Sequence, residues 1–242
     1  MEINRIYLGD AHELIKELPR DRKIIIVTDP PFNIGYHYDI CKDKVDDGEY
    51  YRELASLIRE VGGSAVIIHY PEALHRLSIE LGKCPQKVCS WVYNSNTPRQ
   101  HRDIAYYGVK PIMRQMTQPY KNPTDKRIAE RISRGIQGGS LYDWYEVQQV
   151  KNVADEKFDH PCQIPIKVME NIIGVIPKED NPLILEPFAG TGTTCLACKH
   201  LGYDFIGFEI SPKYHQIAVD RLQGWNAKGE LDLLDAIGEW EK

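Results

Sequence analysis

Between Leu183 and Ser211 the chain reads LILEPFAGTGTTCLACKHLGYDFIGFEIS, and the fold can be argued outward from these residues. A short apolar run leads into Gly190-Thr191-Gly192, a helical stretch follows, and a second apolar run ends at Glu209. Glycines at a strand-to-helix turn let the backbone approach a ligand, and an acid ending the next strand can accept hydrogen bonds from ribose hydroxyls. The pattern therefore predicts an α/β fold with a site for a nucleoside-containing cofactor.

Two departures from familiar glycine loops narrow the choice of ligand. No Gly-Lys-Ser/Thr follows the turn, so it is not the phosphate loop of nucleotide hydrolases. Cys195 stands where the dinucleotide pattern G-x-G-x-x-G has its third glycine, which weakens a dinucleotide interpretation. A nucleotide-dependent oxidoreductase, argued only from the glycine turn and Glu209, stays open as a remote alternative.

Apolar runs of strand length alternate with stretches of helical spacing along much of the chain. Strands are predicted at Ile24–Val27, Ala65–Ile68, Val88–Val92, Leu183–Leu185 and Phe205–Phe208, and helices at Tyr50–Val61, Ile166–Ile176 and Tyr214–Leu222. Such alternation is typical of a mostly parallel sheet covered by helices. A last helix, packed on the domain, is predicted at Leu231–Trp240.

Composition excludes several classes of protein. The 242 residues are 42% hydrophobic and 27% charged, which is typical of a globular chain rather than a disordered one. No apolar run approaches the roughly 20 residues needed to span a bilayer, and Met1–Asp10 lacks the apolar run of a signal peptide, so we expect a cytoplasmic protein without a membrane partner. The six cysteines are scattered and expected to be reduced, and Cys195 and Cys198 lack further zinc ligands at suitable spacing, so no metal is expected.

The net charge of −5 hides a strongly uneven distribution. From Thr97 to Ser140 nine Lys and Arg residues face three acids, which gives +6 and leaves −11 for the rest of the chain. Tyr106, Tyr107 and Tyr120 are interleaved with these cations, and a basic segment with aromatics suits a nucleic-acid surface. Eight side chains are candidates for phosphate or base contacts: Arg99, His101, Arg102, Lys121, Lys126, Arg127, Arg131 and Arg134.

A second loop whose residues could take part in chemistry lies in KIIIVTDPPFNIGYHY, from Lys23 to Tyr38. An apolar strand delivers Asp29, two prolines and Phe32 to the carboxyl end of the sheet, where open α/β sheets bind ligands. The prolines make the loop rigid and leave carbonyl acceptors, since they lack N–H donors. Asp29 with those carbonyls suits an amino group that donates hydrogen bonds, and Phe32 offers a stacking face for a planar base.

Asp29-Pro30-Pro31-Phe32 together with Phe188-Ala-Gly-Thr-Gly192 resembles the S-adenosylmethionine-dependent DNA amino-methyltransferases, which methylate adenine N6 or cytosine N4. The Asp-Pro-Pro-Phe loop precedes the glycine loop, an order similar to that of the permuted β class of this family. Two further segments match, Ile6-Tyr-Leu-Gly-Asp10-Ala and His160-Pro-Cys-Gln163-Ile-Pro165. The basic segment lies where β-class members carry their target-recognition region, so the resemblance covers nearly the whole chain.

The resemblance implies a Rossmann-like methyltransferase fold, α/β with a mostly parallel sheet, circularly permuted motif order and a small basic target-recognition insertion. Residues 1–96 and 151–242 would form the catalytic domain and residues 97–150 the recognition region. The implied cofactor is S-adenosyl-L-methionine and the implied partner double-stranded DNA, whose target base is flipped out of the duplex. Catalysis is assigned to Asp29, Pro30, Pro31 and Phe32. Cofactor binding is assigned to Asp10, Asp29, His160, Gln163, Phe188, Ala189, Gly190, Thr191, Gly192, Thr193, Thr194 and Glu209.

The chain departs from the family pattern at two positions. Ile164 stands where the family usually has Lys, and Phe32 replaces the commoner Tyr, which keeps a stacking face but loses a hydroxyl. Asp at the head of the loop favours adenine N6, because many N4 enzymes have Ser there, and cytosine N4 is the alternative. A DNA-binding protein without catalysis is disfavoured by the intact Asp29. A second copy of the chain and a cognate restriction endonuclease are the further partners that the resemblance allows.

Overall fold

A computed structural model of the protein describes residues 1–35, 38–40, 44–150 and 157–226. Within these residues the strands are β1 (Arg5–Leu8), β2 (Ile24–Thr28), β3 (Ala65–His69), β4 (Lys87–Val92), β5 (His101–Tyr107), β6 (Thr117–Pro119), β7 (Gly138–Ser140), β8 (Trp144–Glu146), β9 (Leu183–Glu186) and β10 (Phe205–Glu209). The α-helices are α1 (Ala11–Leu14), α2 (Asp47–Glu60), α3 (Pro71–Leu81), α4 (Lys126–Ser133), α5 (Ile166–Ile173), α6 (Thr193–Leu201) and α7 (Pro212–Leu222). The helix predicted at Leu231–Trp240 lies outside the described residues.

Eight of the strands form one sheet in the order β1-β10-β9-β2-β3-β5-β4-β8. The first five strands in that order run parallel, β5 runs antiparallel to both β3 and β4, and β8 is parallel to β4. The predicted α/β fold with a mostly parallel sheet is therefore confirmed, and each of the five predicted strands is present with a boundary shift of one residue.

The centre of the sheet contains a topological switch point between β2 and β9. These strands are neighbours, with Ile24 opposite Leu183. From β2 the chain crosses through α2 to β3 on one side, whereas from β9 it crosses through α6 to β10 on the other side. Loops that leave the carboxyl ends of such a pair diverge and leave a crevice, which is the usual ligand site of open α/β sheets.

Helices cover both faces of the sheet because the central strands are apolar on both sides. Every residue of β2 and β9 is buried, as expected for parallel strands sandwiched between helices. There are two hydrophobic cores, one on each face of the sheet. On the face that bears Ile25, the sheet packs against α5, α6 and α7, and on the face that bears Ile26 it packs against α1, α2 and α3. The two loops at the switch point are thus mounted on rigid strands. Among the described residues, no helix combines the length and apolar character that crossing a bilayer requires.

Part of the basic segment belongs to the main sheet, which differs from the prediction of a separate recognition region at residues 97–150. Residues 101–107 form β5 inside the main sheet, so the region that projects from the sheet begins after residue 107 rather than at residue 97. Tyr106 and Tyr107 are fully buried in the two cores, and they do not contribute aromatic surface for nucleic acid. The residues that do project form the β6–β7 hairpin and the exposed helix α4. The high polarity around β5 concealed this strand, which pairs with the preceding strand β4 and with the more distant β3.

Candidate active site

The Asp29–Phe32 loop leaves the carboxyl end of β2 and is fixed by hydrogen bonds at Pro31 and at Asn33. The hydroxyl of Tyr50 on α2 donates to the Pro31 carbonyl at 2.5 Å. Asn33 adopts a left-handed backbone (φ 57°), and its side chain donates to the Val45 carbonyl and accepts from the Val45 N–H. Together with the two proline rings, these contacts hold the loop in one conformation.

Asp29 is a nearly buried carboxylate held against a buried arginine. Nη1 of Arg102 lies 3.2 Å from Oδ2 of Asp29, and the two side chains are 9% and 13% exposed. Burial raises the pKa of Asp29 to about 6, although the Arg102 guanidinium acts in the opposite direction. Asp29 is therefore ionised at neutral pH but close to its titration range.

An aromatic pocket adjoins Asp29. Its lining includes Phe32, Tyr70, Trp91 and Tyr93 from the ends of three different strands. The Phe32 ring is supported from behind by buried His69, with ring centroids 4.6 Å apart. Nδ1 of His69 accepts from the Tyr70 N–H, and burial lowers the pKa of His69 to about 4, so the ring is neutral with its proton on Nε2. A pocket of flat apolar faces with one carboxylate suits a planar base that carries an amino group.

The glycine loop between β9 and α6 has the tight geometry that its sequence predicted. Gly190 and Gly192 both adopt left-handed φ values, 52° and 76°. A Cβ on Gly192 would lie 3.0 Å from the Ala218 Cβ of α7, so this glycine serves helix packing. Close packing of α6 on the sheet is supplied by Gly207 in β10, where a Cβ would meet the Cys195 sulfur at 2.8 Å. Gly207 thereby takes the role that a third glycine has in dinucleotide folds.

Glu209 ends β10 beside this loop. Its carboxylate accepts the Gly190 N–H at 2.7 Å and the Ser211 N–H at 2.8 Å. Burial raises its pKa, and these backbone donors act in the opposite direction. The carboxylate is consequently fixed at the edge of the cleft, where an acid was predicted to hold ribose hydroxyls.

Glu186, which the sequence reasoning missed, ends β9 next to Asp29's strand. Oε1 of Glu186 lies 2.5 Å from the Thr28 hydroxyl and accepts the Phe188 N–H, and Oε2 lies 2.6 Å from the Thr194 hydroxyl. Burial raises the pKa of Glu186 to about 8, so the group is largely protonated at neutral pH. The signal was available, since an acid at the carboxyl end of a central strand is the same pattern that identified Glu209.

Arg221 of α7 is a second residue that the motifs did not reveal. It is buried, and its Nη1 donates to the Thr191 carbonyl at 3.1 Å and to the Thr193 hydroxyl at 2.8 Å. These bonds tie the glycine loop to α7 across 28 to 30 residues of chain. No local pattern in the sequence could have placed this side chain.

Eleven of the twelve residues predicted to bind the cofactor line one cleft at the switch point, and Gly192 lies behind it. His160 belongs to this lining; its Nδ1 accepts the Cys162 N–H at 3.2 Å, and burial lowers its pKa to about 4. Ile164, at the position where the family has Lys, lines the same cleft as an apolar side chain.

The charge of the lining agrees with the cofactor that the motifs imply. The described lining residues include neither Lys nor Arg, and they include five acids, of which Glu186 is largely protonated at neutral pH and the other four supply the negative charge: Asp10, Asp29, Asp39, Glu186 and Glu209. S-adenosylmethionine carries a sulfonium and an ammonium group, which such a lining attracts, whereas the pyrophosphate of a dinucleotide would be repelled. With the open glycine backbone and Glu209 beside it, the cleft fits this cofactor and argues against the oxidoreductase alternative.

The cleft and the aromatic pocket share four lining residues, Asp29, Tyr38, Cys162 and Gln163. Asp29 lies where the two cavities meet. A donor group bound in the cleft and a flat substrate bound in the pocket would therefore meet beside one carboxylate.

The predicted DNA-contact residues occupy three different environments. Arg102 is buried against Asp29, so it belongs to the pocket and not to an open surface. Arg99 lies at the pocket rim, where it pairs with Glu72 at 2.8 Å. The remaining candidates are exposed on β5, on the hairpin side and on or beside α4: His101, Lys121, Lys126, Arg127, Arg131 and Arg134.

A doubly wound sheet whose acidic cleft meets an aromatic pocket at one carboxylate is an arrangement that suits a group-transfer enzyme. The chain matches the N6/N4 family model described as DNA methylase over residues 24–220, and it belongs to this family. It is an S-adenosylmethionine-dependent DNA methyltransferase of the N6/N4 family.

Individual relatives extend the likeness over nearly the whole chain. Type II methyltransferase M.HpaI of Haemophilus parainfluenzae is 24% identical, covering 97% of this chain and 77% of that protein. DNA adenine methyltransferase YhdJ of Escherichia coli is 26% identical, covering 91% and 83%. The crystal structure of an M1.HpyAVI–SAM complex shares the fold with a TM-score of 0.61 at 24% identity, covering 90% of this chain and 98% of that one. The cytosine-N4-specific PvuII DNA methyltransferase shares it with a TM-score of 0.62 at 18% identity, covering 89% and 85%.

Proposed function

We propose that this enzyme methylates the N6 amino group of adenine at a specific site in duplex DNA, with the target base flipped into the aromatic pocket. The observation that carries the proposal is the position of Asp29, which lies where the acidic cleft and the aromatic pocket meet. The pocket is recessed among buried side chains, so a base still paired in a duplex could not reach it. The likeness to a relative named as a DNA adenine methyltransferase supports adenine. Cytosine N4 is the alternative product.

The proposed chemistry combines the cofactor's methyl group with three roles of the chain's own residues: stacking on the base, hydrogen bonding to its amino group and uptake of a proton. The cofactor, when bound, supplies an electrophilic methyl group on a sulfonium sulfur. Phe32 stacks on the flipped base, and Asp29 with the Pro30 carbonyl accepts hydrogen bonds from its amino group. An exocyclic amine is a poor nucleophile because its lone pair is delocalised into the ring, and these acceptors favour the tetrahedral geometry in which the lone pair is available. As the nitrogen gains the methyl group, the methyl–sulfur bond would break and leave its electron pair on sulfur as a neutral thioether, and one proton of the nitrogen would pass to ionised Asp29.

The acidic cleft residues have separate roles in this proposal. Glu209 holds the ribose, Asp10 the adenine amino group of the cofactor, and His160 with Gln163 the methionine end. The rigid glycine loop, tied down by Arg221, keeps the backbone close to the cofactor. Positioning of two bound molecules in a preformed site is expected to supply most of the acceleration.

The projecting region after β5 is proposed to read the DNA site. Its helix α4 has no buried residue and carries exposed Lys126, Arg127 and Arg131, which suits contact with phosphates. The relatives named as type II methyltransferases support a site-specific modification enzyme, and a cognate restriction endonuclease stays a predicted partner. A second copy of the chain remains a predicted partner.

Replacement of Asp29 tests the assignment. Asp29→Asn and Asp29→Ala are expected to lower single-turnover methylation by about 10²–10⁴-fold, the usual range for losing a positioned acid–base group. Affinity for the cofactor, measured by calorimetry, should change little because the other cleft residues stay in place. Asp180→Asn, an exposed acid at the opposite edge of the sheet, is the matched control. Substantial residual methylation in both Asp29 variants would contradict the proposal.

The methylated base is identified by a separate measurement. Plasmid DNA from cells that express the enzyme is digested to nucleosides, and mass spectrometry distinguishes N6-methyladenosine from N4-methylcytidine in their deoxy forms. N6-methyladenine is the expected product. N4-methylcytosine alone would refute the adenine assignment and leave the role of Asp29 intact.

A further inference from the structure

Arg102 occupies an unusual position for a residue of the basic segment. It lies in β5, opposite Trp91 of β4, and its neighbour Asp103 is opposite His69 of β3. This register places the Arg102 side chain beside the carboxyl end of β2, where Nη1 is 3.2 Å from Oδ2 and 3.5 Å from Oδ1 of Asp29. The ion pair is therefore built by a strand of the central sheet, not by a mobile surface side chain.

The guanidinium is enclosed by rings as well as paired. Its central carbon lies 4.7 Å from the Phe32 ring centroid, 5.2 Å from that of Trp91 and 5.9 Å from that of Tyr70. Contacts of this kind favour a cation whose water shell has been removed. Nε of Arg102 is buried and has no hydrogen-bond acceptor among the described residues. The environment thus stabilises the charge of Arg102 without using all of its donors.

The pair matters because Asp29 is buried. A carboxylate out of water tends to protonate, and an adjacent positive charge is the main means of keeping it ionised. A protonated Asp29 could not take the proton that the amino group releases. The proposed chemistry consequently depends on a cation at this position.

We propose that Arg102 is a positioning residue for methyl transfer, which holds Asp29 ionised and oriented toward the base pocket through their buried ion pair. The inference rests on the role of Asp29 in the proposed function. It removes Arg102 from the set of DNA-surface contacts and gives it a function inside the site.

Other titratable groups face this pair from the surrounding elements. They are Glu186 from β9, Tyr93 after β4, His69 and Tyr70 at the end of β3, and Cys162 ahead of α5. Burial raises the pKa of Glu186 to about 8 and lowers that of His69 to about 4. With the pKa of Asp29 at about 6, Asp29 is the member of this cluster expected to govern the acidic limb of the rate profile.

The test is the pH dependence of the single-turnover rate with saturating cofactor and duplex DNA, measured for wild type, Arg102→Gln and Arg102→Lys. In Arg102→Gln the acidic limb should move up by about one pH unit or more, because an adjacent Arg lowers a carboxyl pKa by about 1–3. At a pH below both midpoints, the rate of Arg102→Gln should then be about tenfold lower than that of wild type, in addition to any difference in rate that remains at high pH. Arg102→Lys keeps a point charge, so its limb should stay near that of wild type even if the rate falls.

A role in packing alone would give a different result. It would lower the rate equally at every pH and leave the limb in place, and this outcome in Arg102→Gln would overturn the inference. Arg22→Gln is the matched control, because Arg22 forms another partly buried pair, with Asp204 at 2.8 Å, at the amino ends of the strands. Circular dichroism checks folding, and Arg102→Met carries the same test if Arg102→Gln does not fold.

The outcome is separable from that of the proposed function. If the Asp29 variants are inactive and the limb is unmoved in the Arg102 variants, the inference about Arg102 fails alone. If the Asp29 variants stay active, the proposed function fails first. A direct readout is the ¹³C carboxyl titration of Asp29, assigned by difference with Asp29→Asn. Its midpoint should rise in Arg102→Gln and stay close to wild type in Arg102→Lys, and an unchanged midpoint in Arg102→Gln would refute the inference.

Discussion

Replacing Glu186 by Gln should change how the stability of this enzyme depends on pH. The buried carboxyl has a pKa of about 8 against 4.5 for an ordinary Glu. Between these values the unfolded chain has released this proton and the folded chain still holds it, so the free energy of unfolding falls as pH rises. Each pH unit is worth about 1.4 kcal/mol, which makes the whole effect about 5 kcal/mol.

The amide of Gln can occupy the same place without titrating. Its oxygen can accept from Thr28 and Phe188, and the Thr194 hydroxyl can turn to accept from its NH₂ group, since a hydroxyl serves as donor or acceptor. The difference in unfolding free energy between Glu186→Gln and wild type should therefore grow by about 4 kcal/mol from about pH 5 to pH 9. The stability at acidic pH should change little.

Urea unfolding followed by circular dichroism at five or more pH values measures this difference directly. Glu53→Gln, on the exposed face of α2, is the matched control and should leave a flat difference curve. Parallel curves for Glu186→Gln and wild type across the range would refute the reasoning, because they would mean that Glu186 is already ionised in the folded protein.

Three further predictions follow from contacts around the cofactor cleft and the projecting region. Gly192→Ala should lower the free energy of unfolding, measured with urea, by about 1 kcal/mol because of the left-handed backbone and by about 1–3 kcal/mol more because of the contact with Ala218. Gly202→Ala, with φ 66° and open space around it, should show only the backbone cost. An equal loss of unfolding free energy in the two variants would mean that α7 shifts without cost, and it would contradict the prediction. Arg221→Gln should weaken cofactor binding on the order of tenfold, measured by calorimetry, because the glycine loop loses its tie to α7; exposed Arg5→Gln should have no effect. Neutralising the three exposed cations of α4, Lys126, Arg127 and Arg131, should reduce the slope of log affinity against log salt by up to about 3 in a DNA-binding titration. An unchanged slope would place the DNA surface elsewhere.

Much of the cofactor side could be predicted from the sequence because its signals are local. A glycine turn requires left-handed backbone at Gly190 and Gly192, and an acid at a strand end lies at the carboxyl edge whatever the rest of the fold does. Five strands were placed to within one residue for the same reason, since a run of buried apolar residues is visible without its partners. The order of the two loops along the chain also needed no coordinates.

The acceptor side depended on the tertiary structure. Arg102 lies 73 residues from Asp29, and in the sequence it is one of many cations in a basic segment. Only the antiparallel insertion of β5 between β3 and β4 turns that segment into part of the core and sets Arg102 against the carboxylate. Arg221 is similar, because its contacts with the glycine loop arise from the packing of α7. Charge and polarity are counted along the chain, but burial and pairing are decided between strands and helices that the chain brings together from far apart.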